Sequence, residues 1–286
     1  MHVGLGEAIS STELLADKNR PGYIHCMLNP FFTVIITLTD KLSYLFPFTL
    51  ESLILQKGSA SFEVIIIDGS KGKVSLHHLP LENVTILQSA SSNPATMLNQ
   101  ALKRAKGNYI HCLVPGEFYL SKKALSFATK IIHAYDFPDL IYTARMVRHS
   151  FGQPTVDMQP HSMGNLKKGR AAPSLQAYWI RRESIVMLGG FNPQYEIQCG
   201  YDAICRFFLA PTLRKVFVRR ILTDYEYRLL PSKYVLQRCL ETFWISLKHF
   251  GPTLHLLVWL AQNCLRLFRF SWKIVRASFW KRHAAY

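Results

Sequence analysis

Carboxylates are scarce in this chain: 18 Asp and Glu stand against 34 Lys and Arg, a net charge of +16 over 286 residues. Polar groups that follow directly on an apolar run are therefore conspicuous. Three such places occur, at Thr37-Leu38-Thr39-Asp40, Asp68-Gly69-Ser70 and Val114-Pro115-Gly116-Glu117. Hydroxyls donate and accept hydrogen bonds, and ionised carboxylates accept them. Gathered at one edge, such groups hold a polar ligand. Asp68-Gly69 also has the makeup of a plain turn, and both readings stay open. The six cysteines form no C-x-x-C pair and no metal-ligand spacing with histidine. They read as reduced, buried small hydrophobes of a cytosolic protein.

The elements that must position these residues follow from the apolar pattern. Phe31–Leu38, Phe62–Ile67, Val84–Leu87 and Tyr109–Val114 are apolar, β-branched runs that predict strands, the longer ones buried on both faces. Pro47–Gln56 and Asn93–Lys106, with Pro94 in its first turn and Gly107 as stop, predict helices, and Ser121 can cap a third that runs to Ala134. Strand and helix alternate over short connections, the signature of βαβ units and a mostly parallel sheet. Ligands of such sheets sit at the carboxyl ends of the strands, which is where the three polar groups fall. Further on, Leu140–Ala144 predicts a strand, 149–173 a long loop carrying Lys167-Lys168-Gly169-Arg170, and Gly189-Gly190-Phe191 a turn. Tyr201–Phe208 predicts a helix, Lys215–Ile221 a strand, and the chain from Ser232 onward helices.

Hydrophobic residues at 49% and aromatics at 13% exclude a disordered chain, and Gly 15 and Pro 14 exclude collagen-like or low-complexity architecture. A charge of +16 faces nucleic acid, an anionic membrane surface or phosphorylated small molecules. No zinc-finger or RNP1-like motif accompanies it, so nucleic acid is not the expected partner. The first residues lack a basic stretch followed by an apolar one, so no signal peptide is expected. Thr253–Phe270 carries His255, Gln262, Asn263, Arg266 and Arg269, too polar for a simple membrane span.

After Glu241 the chain holds no acid, while Lys248, Arg266, Arg269, Lys273, Arg276, Lys281 and Arg282 are basic. Leu254, Val258, Ala261, Leu265, Phe268, Trp272, Val275 and Phe279 recur at steps of four and three, a helical stripe flanked by the basic residues. This pattern suits a helix lying in a membrane interface, its Lys and Arg toward anionic headgroups. A helix packed on the body, basic flank in water, is the alternative.

The order of these segments resembles the family-2 glycosyltransferases of GT-A fold, in the branch of bacterial exopolysaccharide synthesis. Thr33–Leu38 looks like the family's opening strand and Thr49–Gln56 like its first helix. Phe62–Ser70 looks like its nucleotide-binding strand end, and Asn99–Ile110 like its helix, glycine and strand before the metal motif. A weaker match runs through Gln176–Arg182, Gly189–Asn192 and Tyr201–Arg206. The resemblance implies an α/β GT-A (Rossmann-like) domain over 30–230, after a leader at 1–29 and before a helical, basic extension at 231–286. It implies donor-binding roles for Thr37, Thr39, Asp68 and Ser70, and transfer of a sugar, of hexosyltransferase type, from a nucleotide-sugar donor to a glycan or lipid-linked acceptor. The protein is then expected in the cytoplasm at the inner face of the membrane, touching it through 251–286.

The departures concern the chemistry. Where the family places Asp-x-Asp to hold Mg²⁺ or Mn²⁺, this chain has Val114-Pro115-Gly116-Glu117, leaving Glu117 as the sole carboxylate to ligate or to cap a turn. The family's catalytic acid falls at Gly200, with Asp202 two residues on as the alternative base or as a partner of Arg206 at i+4. A family His before Gln176 is Leu175. Lys167, Lys168, Arg170, Arg181 and Arg182 are available to stabilise a leaving diphosphate electrostatically, or form a solvated basic face. A second function is therefore carried beside the first: a relative without turnover that binds nucleotide or glycan, or serves as a scaffold.

Overall fold

The computed structural model describes residues 30–39, 43–56, 60–72, 76, 79–81, 83–148, 153–158, 161–168, 175–226, 232–254 and, singly, 256, 258 and 261. Among the described residues nine strands form one mixed sheet: β1 (Phe32–Thr39), β2 (Phe62–Gly69), β3 (Val84–Gln88), β4 (Tyr109–Leu113), β5 (Phe118–Tyr119), β6 (Leu140–Arg148), β7 (Thr155–Asp157), β8 (Tyr178–Arg181) and β9 (Lys215–Glu226). Their order is β3-β2-β1-β4-β8-β6-β9-β5, with β7 on β6. The long ladders, β3-β2-β1-β4 and β6-β9, are parallel as expected, and the short ones involving β8, β7 and β5 are antiparallel.

The helices are α1 (Phe46–Ile54), α2 (Pro94–Leu102), α3 (Ala124–Ala134), α4 (Met163–Lys167), α5 (Arg182–Met187), α6 (Cys199–Leu209) and α7 (Ser232–Phe250). Strand alternation divides them into two layers. Ile35, Ile65 and Ile67 pack with Leu98 of α2 and Ile204 of α6, while Val34, Ile36 and Val64 pack with Leu53 of α1 and Leu125 of α3. Both faces of β1 and β2 are thus covered, which is why their sequences read as unbroken apolar runs. Each fully buried Val or Ile contributes about 1.5–3 kcal/mol.

Three local readings change. The helix begun by Asn93, whose side chain caps the Ala95 and Thr96 amides at 2.9 and 3.2 Å, ends at Leu102 rather than Lys106. Beyond it the Glu63 carboxylate reaches in from β2 and accepts from the Lys106 and Gly107 N–H groups at 2.6 and 3.2 Å, satisfying backbone the helix would otherwise use. Gly107 is a close-approach glycine, since a Cβ there would fall 2.4 Å from the Thr33 nitrogen of β1. The third helix starts at Ala124 with Lys123 at the cap position, so Ser121 does not cap it, and the long loop at 149–173 contains β7 and α4.

Candidate functional site

The parallel register sets the polar groups side by side. Thr37 pairs with Ile67 and Leu38 with Asp68, while Ile36 pairs with Leu113, the residue before the Val114–Glu117 turn. Thr37, Asp68 and the start of the turn at Val114 therefore lie within about one residue's rise of each other along the sheet, β4 ending at Leu113 opposite Ile36 while β1 and β2 run on to Thr39 and Gly69. The pleat sends Thr37 and Thr39 toward the α2 and α6 layer and Asp68 toward the α1 and α3 layer, so the groups flank the edge from both faces. Asp40 and Arg170 lie outside the described residues.

Asp68 is buried. Its Oδ1 accepts from the Ser70 N–H at 2.8 Å and its Oδ2 from Gln88 Nε2 at 3.1 Å, Gln88 being its register partner on β3. Burial raises its pKa, but the Ser70 hydroxyl, the Ser70 N–H and Gln88 outweigh that and hold it below the ordinary carboxylate value. The Ser70 hydroxyl is itself buried without a hydrogen-bond partner, so it acts on Asp68 as a nearby dipole. Two oxygens with two lone pairs each leave this carboxylate acceptor capacity for a ligand.

At β4, Val114-Pro115-Gly116-Glu117 forms a turn closed by the Glu117 N–H on the Val114 carbonyl at 3.0 Å. Gly116 takes φ +95°, the left-handed value that a turn with Pro at its second position asks of the third. Glu117 is buried and its Oε2 accepts from the Val114 N–H at 2.9 Å. The Gly116 N–H donates to Thr49 Oγ1 of α1 at 2.9 Å, so helix and turn are fastened together. Burial pushes the Cys112 thiol far above its usual pKa, and Cys199 at the start of α6 and Glu117 add to the shift.

Gly200 and Asp202, the positions the resemblance matches to a catalytic acid, lie on α6. A Cβ added at Gly200 would lie 2.9 Å from Cγ of Leu175, so the leucine fills the space over that position. Asp202 stands about 200° further round α6, at 100° per residue, and faces α7. Its Oδ2 accepts from Arg206 Nε at 2.9 Å and its Oδ1 from His249 Nε2 at 2.8 Å. Arg206 also donates to the carbonyls of Gly190, at 2.7 Å, and Leu188. Burial raises the Asp202 pKa, but His249 and Arg206 outweigh it and hold it below the ordinary value.

The basic candidates separate. Arg181 pairs with Tyr109 at the first residue of β4, and Arg182 Nε donates to the Gly107 carbonyl at 3.2 Å. Both therefore belong to the amino edge of the sheet, opposite the polar groups, and cannot serve a diphosphate bound there. Antiparallel pairing of β8 with β4 is the reason, since it reverses which end the dipeptide reaches. Lys167 and Lys168 end α4, whose Leu166 carbonyl accepts from Tyr201 Oη of α6 at 2.5 Å, so they remain beside the Gly200 region.

A divalent cation such as Mg²⁺ needs about six oxygen ligands. Among the described residues no group of three or more His, Cys, Asp or Glu is arranged to hold a metal. Glu117 is a single carboxylate with one oxygen engaged by its own turn. Glu117 by itself does not complete a cation site, and a bound diphosphate and water would have to supply most of the oxygens.

Three polar residues escaped the sequence reading. Glu241 of α7 accepts from the N–H groups of Glu196, Ile197 and Gln198 at 3.1, 2.9 and 2.8 Å, capping the approach to α6 from another helix. Gln176 is fully buried with its side-chain amide unpaired, while its carbonyl accepts from His111 Nε2 at 2.9 Å and Thr223 Oγ1 at 3.0 Å. Asp224 of β9 is fully buried and pairs in register with Phe118, next to Glu117. The sequence marked Gln176 only as the start of a weak match and Glu241 only as the last acid, and it did not mark Asp224.

A mixed, mostly parallel sheet flanked by helices, with a C-terminal helix, is GT-A-like. Among solved structures the chain is similar to residues 1–349 of S. aureus TarS in complex with UDP, at 18% identity and a TM-score of 0.55 over 84% of this chain and 72% of that one. It is similar to the same protein with UDP-GlcNAc, at 16% and 0.55 over 84% and 73%. It is also similar to mannosyltransferase PcManGT from Pyrobaculum calidifontis in complex with GDP-Man and Mn²⁺, at 16% and 0.55 over 87% and 75%. No family profile matches the sequence, and no curated protein matches it. At these identities the likeness is one of fold.

Proposed function

We propose that the chain binds a nucleotide-activated sugar at this sheet edge and transfers the sugar to a glycan or lipid-linked acceptor. The observation that carries the reading is the register that aligns Thr37, Asp68 and the Val114–Glu117 turn on adjacent parallel strand ends. It is supported by the shared fold with proteins crystallised with UDP, UDP-GlcNAc and GDP-Man. In this reading Asp68, kept ionised by its neighbours, accepts from donor groups of the base or ribose, and Thr37, Thr39 and Ser70 offer hydroxyls beside it. Lys167 and Lys168 provide positive charge toward a leaving diphosphate. Asp202 acts as base only if it gives up His249.

One observation favours a second reading, binding without transfer. Leu175 stands over Gly200, and both oxygens of Asp202 are engaged, so the geometry presents no open carboxylate there. Calorimetric titration with UDP and with GDP, each with and without Mn²⁺, followed by a donor-hydrolysis assay, separates the outcomes. Binding with turnover supports transfer, and binding without turnover supports the second reading. No binding of UDP or GDP in either condition overturns both.

A further inference from the structure

The helix α7 carries, besides the face packed on its own domain, a line of large apolar side chains that the domain leaves exposed. One face of α7 is buried against the domain: Ile245 enters the core, Glu241 caps the approach to α6, Thr242 Oγ1 accepts from Gln198 Nε2 at 2.8 Å, Ser246 meets Tyr201 Oη at 3.1 Å, and His249 holds Asp202. A second, apolar line faces outward. Leu236, Leu240 and Trp244 recur at four-residue steps and are 48%, 49% and 57% exposed, and the same line continues to Lys248, also exposed. Beyond the helix, Leu254 and Val258 are exposed as well.

We infer that this outward line of α7 docks the protein on an anionic lipid surface. Charge selects that occupant. From residue 242 to 286 the chain has no Asp or Glu and seven Lys or Arg, so the apolar line is continued only by positive charge. Apolar side chains with basic neighbours, one of them tryptophan, match the chemistry of an acyl–headgroup boundary bearing negative lipids. A second copy of the chain meets the same face with the same excess of positive charge and is disfavoured. Among the described residues no helix is long and apolar enough to cross a membrane, so the contact is peripheral. The inference extends to α7 the contact expected for 251–286, and it stands whether or not the strand-end site transfers a sugar. Because Glu241 and His249 tie α7 to α6, docking fixes the orientation of the whole sheet edge relative to the surface.

The test uses the full chain and a Leu240→Gln/Trp244→Gln variant, with vesicles of phosphatidylcholine alone or with about one-third phosphatidylglycerol. The parent chain co-sediments with the anionic vesicles, less so at high salt, and the variant partitions at least about tenfold less. Both unfold at the same temperature, since the substituted side chains are exposed. Equal partition of parent and variant overturns the inference, because 262–286 then docks alone. A parent that ignores anionic vesicles overturns it too. So does a parent dimer, seen by analytical ultracentrifugation, that the substitutions dissociate.

Discussion

The side chain of Leu175 occupies the space directly over the α-carbon of Gly200, leaving 2.9 Å between its Cγ and any Cβ placed there. The apolar residue and the missing side chain are complementary, and each explains the other sterically. Gly200→Asp alone therefore crowds the leucine, at about 1–3 kcal/mol of overpacking, and yields no donor hydrolysis. Gly200→Asp with Leu175→Ala recovers part of that stability and presents a carboxylate at the edge. Thermal unfolding and a hydrolysis assay on parent, single and double variants read both effects. Equal stability of the single and double variants contradicts the steric coupling.

Asp68→Asn keeps the shape and the hydrogen bond from Ser70 but removes the charge. UDP affinity falls about tenfold or more, the size expected when a hydrogen bond to a charged group is weakened. Titration calorimetry measures it, with the unfolding midpoint as control for the fold. Unchanged affinity removes Asp68 from the donor site.

His111 gives a pH signature. Its ring lies on Trp179 at 3.9 Å and 11°, with Nε2 2.9 Å from the Gln176 carbonyl and Nδ1 2.7 Å from Tyr119 Oη. The carbonyl only accepts, so Nε2 carries the proton and Nδ1 accepts from the tyrosine. Burial lowers its pKa from 6.5 to about 4. Above pH 6.5 neither folded nor unfolded chain binds this proton, and the full stability is present. Between pH 6.5 and 4 only the unfolded chain binds it, so stability falls as pH falls. The loss amounts to about 3 kcal/mol at about 1.4 kcal/mol per pK unit. His133, also lowered by burial, shifts stability in the same direction. Urea midpoints from pH 7.5 down to pH 4.5, compared with those of His111→Phe, isolate the His111 share, and parallel curves for the two proteins contradict it.

Glu241→Gln replaces a carboxylate that accepts three backbone N–H groups. Stability falls by about 2 kcal/mol, the scale of charged hydrogen bonds lost at a helix approach. Chemical denaturation measures the loss. A change within about 0.5 kcal/mol, the range of ordinary surface substitutions, shows that the cap is dispensable.

The strands β1, β2 and β4, their parallel order and the polar groups at their ends were determined by the sequence alone. Burial on both faces demands an unbroken apolar run, and that demand is local. Asn93 was legible as a helix start for the same reason, since its cap reaches only two and three residues ahead. What each polar side chain meets was decided by the tertiary structure. Asp202 and His249 are 47 residues apart, Glu241 and Gln198 are 43 apart, and the reversal of β8 carried Arg181 and Arg182 to the wrong edge for a strand-end ligand. A periodic pattern records which face of an element is buried, but not which distant element covers it. The placing of polar groups at adjacent strand ends could therefore be read from the chain, whereas the plugging of Gly200 by Leu175 and the fastening of Asp202 to α7 arise only when separate elements come together.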